Sequence, residues 1–249
     1  MTANDASNGP GGSVGPEAEP VTARAISSGA GRTVEVEYAV DGGRRLAGGP
    51  LNLTVTVALR DGAPGRLISS SARSTGRSRE YTFEGTLGTP VGGTTLRDPY
   101  ADAIEIGGVQ TAQDLRVGTP VVQHVLVNQF LTLEDVLAEV PDGDSVELNL
   151  RGRRQIQFEG WSGQGSQDAG GASAVLRLTM HRDDSALAAF YRRSADAALA
   201  AAQADPSRER RVVELCTARN QLAVQALTEL GRHSDPSVAD RARQALAAL

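Results

Sequence analysis

Lysine is missing from this chain, and all 25 basic residues are arginine. Without lysine, no Walker-type phosphate loop, lysine Schiff base or serine–lysine dyad can be assembled. Cysteine is almost as scarce: Cys216 is the single one, which excludes an intrachain disulfide and a cysteine-cluster zinc site. Aromatic residues make up 4% of the chain, so a core has to be built mainly from Val, Leu, Ile and Ala. No apolar run approaches the roughly 18 residues that a membrane-spanning helix needs. The opening "MTANDASNGPGGSVGPEAEP" has neither the basic nor the apolar stretch of a signal peptide. The expectation is a soluble, cytoplasmic protein, and no motif implies a cofactor.

What is present is a chain of 249 residues with a net charge of -5 and 40% hydrophobic residues, enough to bury a core without staples. Residues 1–20 are Gly, Pro, Ser, Asn and acid without apolar periodicity, which marks a disordered tail. From Val21 the pattern takes period two: "TVEVEYAV" alternates, and "LNLTVTVAL" places Leu51, Leu53, Val55, Val57 and Leu59 on one side. Further strand candidates are "EYTFEGTL", "AIEIGGV", "PVVQHVLV", "SVELNLRG", "RQIQFEG" and "SAVLRLTM", with turns at "DGG" and "DGAPG". The expected fold is mainly β with α. Residues 21–182 form an antiparallel β-sandwich of about eight to ten short strands. A short helix over "LTLEDVLAEV", with Thr132 and Asp135 as a capping box, interrupts it.

After Met180 the period becomes helical, which predicts a C-terminal three-helix extension over residues 183–249. Its first helix carries Leu187, Phe190, Tyr191, Ala198, Leu199 and Ala202 on one stripe, with Asp183, Asp184 and Ser185 as acceptors at its start. The second places Cys216 inward as a small buried hydrophobe and puts Arg208, Arg210 and Arg211 near its start. Asp-Pro-Ser recurs at 205–207 and 235–237. The segment "AVQALTELGRHSDPSVADRARQALAAL", residues 223–249, resembles a HEAT-type helical repeat, with Ala-Leu pairs, a break, Asp-Pro and a second Ala-rich helix. The resemblance implies a protein-interaction surface, although one unit cannot stack into a solenoid, which takes at least about three. A plain helical hairpin is the other reading.

The stretch "RGRRQIQFEGWSGQG", residues 151–165, concentrates most of the chemistry. As a phosphate cradle it would need a helix after "GWSGQG", and "SQDAGGAS" followed by another strand stands there instead. As a nucleophile elbow around Ser162 it misplaces the second glycine by one. As a nucleic-acid platform it offers Arg151, Arg153 and Arg154 beside Phe158 and Trp161. Alternation, however, turns Ile156 and Phe158 to the core, and residues 21–182 carry 16 Arg against 18 Asp and Glu, without the broad positive surface such binding needs. Nucleic acid is therefore not the expected partner. The remaining reading is a hairpin, "VELNLRG" pairing with "RQIQFEG" around Gly152, followed by a long polar loop anchored by Trp161.

Acidic clusters at Asp98, Asp102 and Glu105 and at Asp142 and Asp144 could gather around calcium or act as a carboxylate pair, but their spacing is that of ordinary turn acids. His124, His181 and His233 have no recognisable carboxylate partner. The sequence reads as a non-catalytic binding, adaptor or assembly protein whose partner is another protein or a second copy of itself. Its candidate contacts are Trp161, Arg151, Arg153, Arg154, Arg208, Arg210 and Arg211, with no catalytic, cofactor or metal residue assigned. The alternatives are a hydrolase using Ser162 or a carboxylate pair in the sandwich end loops, and a membrane-acting β protein.

Overall fold

The computed structural model describes residues 19–72, 77–88, 93–102, 108–133, 135–160 and 166–190, together with isolated positions between 228 and 243. The chain opens with β1 (Val21–Gly29) and β2 (Arg32–Val40), paired without a register break. Ala30 and Gly31, both at positive φ (50° and 69°), close this hairpin in the two-residue turn whose twist suits right-handed strands. Next come β3 (Arg45–Leu46), β4 (Asn52–Gly62), β5 (Gly65–Ser71), β6 (Tyr81–Leu87), β7 (Thr94–Thr95), β8 (Val109–Leu115) and β9 (Val121–Leu126). A 3-10 turn (Val127–Gln129) and the short helix α1 (Asp135–Glu139) lead to the two longest strands, β10 (Ser145–Glu159) and β11 (Ser166–His181).

These strands form two sheets. One has the order β1-β2-β4-β9; the other has the order β3-β11-β10-β5-β8, with β6 pairing β10 and β7 pairing β6. The alternation seen in the sequence is what allows two layers: Val34, Val36, Tyr38, Leu53, Val55 and Val57 of the first sheet meet Phe83, Leu148, Leu150, Ile156, Phe158 and Leu176 of the second in one buried core. Polar links cross the layers, with Tyr38 Oη donating to Ala172 O at 2.9 Å and Ser27 Oγ to Ala169 O at 2.7 Å.

Three expectations are corrected. First, the described residues contain no C-terminal three-helix extension. Beyond β11 they comprise a helical stretch at 184–190 and a few isolated positions, and the described architecture is β with the 3-10 turn and α1 as its complete helical elements. The start of 184–190 is capped as its acids suggest, Asp183 Oδ1 accepting from Ala186 N at 2.8 Å and from Ser185 Oγ at 2.9 Å. Of the segment resembling a HEAT unit, residues 223–249, only nine positions between 228 and 243 are described, and the rest lies outside the described residues. Second, "VELNLRG" and "RQIQFEG" are not a hairpin but one strand, β10, running straight through Gly152, which pairs with Ala174 on one side and Phe83 on the other. A Cβ at 152 would meet the rings of Tyr38 and Phe83 at 3.0 Å, so this glycine serves packing rather than a turn. Third, "SQDAGGAS" is not loop. It begins β11, with a bulge where Gln155 pairs with Gly171 and Gln157 with Asp168; Gly170 sits there at a φ of 87°.

Asp135, expected in a capping box, instead receives both Nε and Nη2 of Arg97, at 3.0 and 2.8 Å. Among the described residues no helix is long and apolar enough to cross a membrane.

Candidate functional site: an arginine-bearing sheet face

Because β10 alternates without interruption, its odd positions point away from the core. Glu147, Arg151, Arg153 and Gln155 are exposed and Asn149 is partly so, while Leu148, Leu150, Arg154 and Ile156 are buried. The register extends this outer surface over both neighbours in three cross-strand rows. Thr82, Arg153 and Ser173 form one row, Glu84, Arg151 and Val175 the next, and Thr86, Asn149 and Arg177 the third. A shallow groove of about 520 Å³ is lined by Glu84, Thr86, Asn149, Arg151, Val175 and Arg177; a second, of about 330 Å³, continues it along Thr82, Arg151, Arg153 and Ser173.

Three guanidinium groups share this face with the carboxylate of Glu84, and Glu147 at its end accepts from Asn149 Nδ2 at 3.2 Å. Arg151 Nη1 lies 4.0 Å from Glu84 Oε2, with both side chains exposed, an ion pair worth at most about 1 kcal/mol. The side chains of Arg153 and Arg177 make no hydrogen bond or ion pair within the described residues, in contrast to Arg66, Arg77, Arg97 and Arg182, each of which holds a carboxylate. Arg153 lies across β11, since a Cβ on Gly171 would come within 2.7 Å of its Nε. At the centre Val175 is 47% exposed, a large apolar side chain in a polar surrounding. The arrangement offers bidentate donors for oxyanions, neutral hydroxyl and amide groups between them, and one apolar contact.

The opposite face of β10 holds a different arginine. Arg154 is fully buried. Its Nε donates to Tyr81 Oη at 3.1 Å, Nη2 to Gln123 Oε1 at 3.0 Å and Nη1 to Gln155 O at 3.2 Å, while its guanidinium lies 5.4 Å from the Tyr81 ring centroid. Tyr81 Oη in turn donates to Gln123 Oε1, and Gln123 Nε2 to Ser69 Oγ at 2.7 Å. Burial pushes the Tyr81 phenol up to about 12, against the opposing pull of Arg154, and pushes Tyr38 up as well. Both phenols therefore stay neutral donors. Arg154, a candidate contact by sequence, is thus withdrawn from the surface by the parity of the strand and organises the core instead.

The other sequence candidates do not converge with this face. Trp161, Ser162, Arg208, Arg210, Arg211, Glu105, Cys216 and His233 lie outside the described residues. Asp98 is held by Arg77 Nη1, 2.9 Å from each of its oxygens, and Asp142 Oδ1 accepts from Asp184 N at 3.1 Å, so these acids serve local structure. Among the described residues no three His, Cys, Asp or Glu side chains gather as a metal group. His124 is exposed, its Nδ1 3.3 Å from Thr54 Oγ1. His181 is partly buried, and burial first, then the charges of Arg44 and Arg45, hold its pKa below the ordinary 6.5.

Arg177, Glu84 and Val175 were missed by sequence reasoning. "AVLRLTM" does place Val175 and Arg177 opposite Leu176 and Leu178, but only the register shows that they flank Arg151. No protein-family model matches the chain, and no curated protein matches its sequence.

Proposed function

We propose that this is a non-catalytic binding protein whose sandwich presents the outer face of β6, β10 and β11 to a partner macromolecule. The observation that carries this reading is the pair Arg153 and Arg177, exposed along the two adjoining grooves, neither side chain in an ion pair with a described carboxylate. Elsewhere on the described surface arginines are mostly matched to carboxylates, Arg24 with Glu37 and Arg60 with Glu35 among them. Unmatched guanidinium groups around a central apolar residue have the composition of a protein-contact surface, where arginine is enriched.

The test places a photoreactive benzoylphenylalanine at position 175 of the full chain in the cells that make it. Illumination is expected to yield a discrete covalent adduct that disappears when Arg151, Arg153 and Arg177 are all changed to Glu. No discrete adduct, or one indifferent to the charge reversal, would overturn the assignment. The adduct's mass separates a second copy of the chain from a different protein.

A further inference from the structure

Resting on that reading, we infer that the ligand of the β6-β10-β11 face is an extended acidic polypeptide segment with carboxylates on alternate residues. Arg151 and Arg153 are two residues apart on one strand, so their Cα atoms stand about 6.6–6.8 Å apart on the same face. An extended peptide repeats its same-face side chains at that interval, so carboxylates at i and i+2 lie over the two guanidiniums in register. Arg177 belongs to the next row, opposite Asn149 on the neighbouring strand, and takes the carboxylate at i+4. Each guanidinium can receive a carboxylate through two parallel N–H donors.

Thr82, Thr86, Asn149 and Ser173 line the same grooves with hydroxyl and amide groups, which suit a peptide backbone. Glu84 beside Arg151 sets a local preference for a basic or neutral residue at the row's β6 end. A nucleic acid is the poorer fit to these features. The lining residues include no aromatic ring to stack a base. The crossing of Arg153 over Gly171 holds one guanidinium down along the sheet before a ligand arrives, which lowers the ordering cost of binding.

The inference is tested on the full chain by fluorescence anisotropy at low salt with four probes. They are a labelled peptide with glutamate at every second position, one with the same number of glutamates at every third position, a twelve-nucleotide oligothymidine and heparin. The alternate peptide is expected to bind saturably and about fivefold tighter than the every-third peptide, which cannot present successive carboxylates to one face. Changing Arg153 and Arg177 together to Glu should weaken it about tenfold or more. The thermal midpoint should be unchanged, because both side chains are on the outer face. Equal affinity for the two peptides overturns the alternate-residue assignment. Binding of oligothymidine or heparin through these arginines, with neither peptide bound, overturns the polypeptide assignment. If no probe binds while the arginine-dependent adduct at position 175 persists, this inference alone fails; if the adduct is missing as well, the binding reading fails with it.

Discussion

Arg154 places a guanidinium in the core, where Tyr81, Gln123 and the Gln155 carbonyl satisfy its donors. Truncating it leaves a cavity and several polar groups short of a partner. Arg154→Ala is expected to cost about 2–4 kcal/mol in urea denaturation. Arg154→Met, which refills the volume without a buried charge, should recover more than half of that loss. Arg153→Ala, one residue away on the solvent side, should change stability by less than about 0.5 kcal/mol. Similar losses at 153 and 154 would contradict the separation of core and surface roles. The alternation of Leu148, Leu150, Ile156 and Phe158 puts position 154 on the core side, yet the sequence reading groups Arg154 with Arg151 and Arg153 as a surface contact. An arginine at a core-parity position instead reads as surface, because nothing in a one-dimensional pattern shows Tyr81 and Gln123 waiting for it.

His181 gives a pH dependence of defined sign. In the unfolded chain it titrates near 6.5; in the folded protein, burial and the charges of Arg44 and Arg45 hold it lower. Between the two values the unfolded state binds more protons, so acid favours unfolding. The stability associated with the neutral ring is complete above about pH 6.5 and is lost as pH falls through the folded value. His181→Gln should flatten that part of the urea-midpoint profile measured from pH 7.5 to 5. A wild-type profile that is flat over this range, or a variant as steep as the wild type, would contradict it. The titration of Asp183 falls in a separate, more acid window, because its folded pKa is lowered from 3.8 by the cap bonds from Ala186 and Ser185.

At the scale of elements, β10 shows why a strand can pass for a hairpin. Glycine between two alternating runs is the ordinary mark of a turn, yet here the need for a missing side chain comes from the rings of Tyr38 in β2 and Phe83 in β6. Those residues are distant in sequence, so the requirement has no local signature. Gly152→Ala is expected to force the two rings aside and to cost about 1–3 kcal/mol, read as a lowered urea midpoint. A turn glycine without positive φ would tolerate alanine, so an unchanged midpoint would restore the hairpin reading. The start of β11 was hidden for a related reason: Gly170 and Gly171 resemble loop composition but serve a bulge and the passage of Arg153. In β2, by contrast, the alternation of "TVEVEYAV" is unbroken over consecutive residues and the strand follows from the sequence, while its partner β1 and their turn at Ala30-Gly31 are not singled out there.

At the scale of the molecule, both sheets contribute to one core and are tied together by bonds that neither could keep alone. Tyr38 and Ser27 reach from the first sheet to carbonyls of β11, and Arg32 crosses to Gln167 at 3.1 Å while its guanidinium lies 4.4 Å from the Phe158 ring centroid. If one layer separated, Leu53, Val55, Leu150 and Leu176 would all lose their cover at once, so partial opening gains chain entropy only by exposing the shared interior. The expected consequence is a single cooperative unit. In native-state hydrogen exchange, the amides of Val36 and Val55 in one sheet and of Leu150 and Leu176 in the other should open with free energies within about 1 kcal/mol of each other, and should respond alike to added urea. The edge strand β8, exposed along most of its length, should exchange through smaller openings. A central-strand difference larger than that would show two layers that unfold independently, and the outer arginine face would then stand on a sheet able to shift without its neighbour. Equal values mean that β6, β10 and β11 hold their register for as long as the molecule is folded, which the spacing argument for Arg151, Arg153 and Arg177 requires.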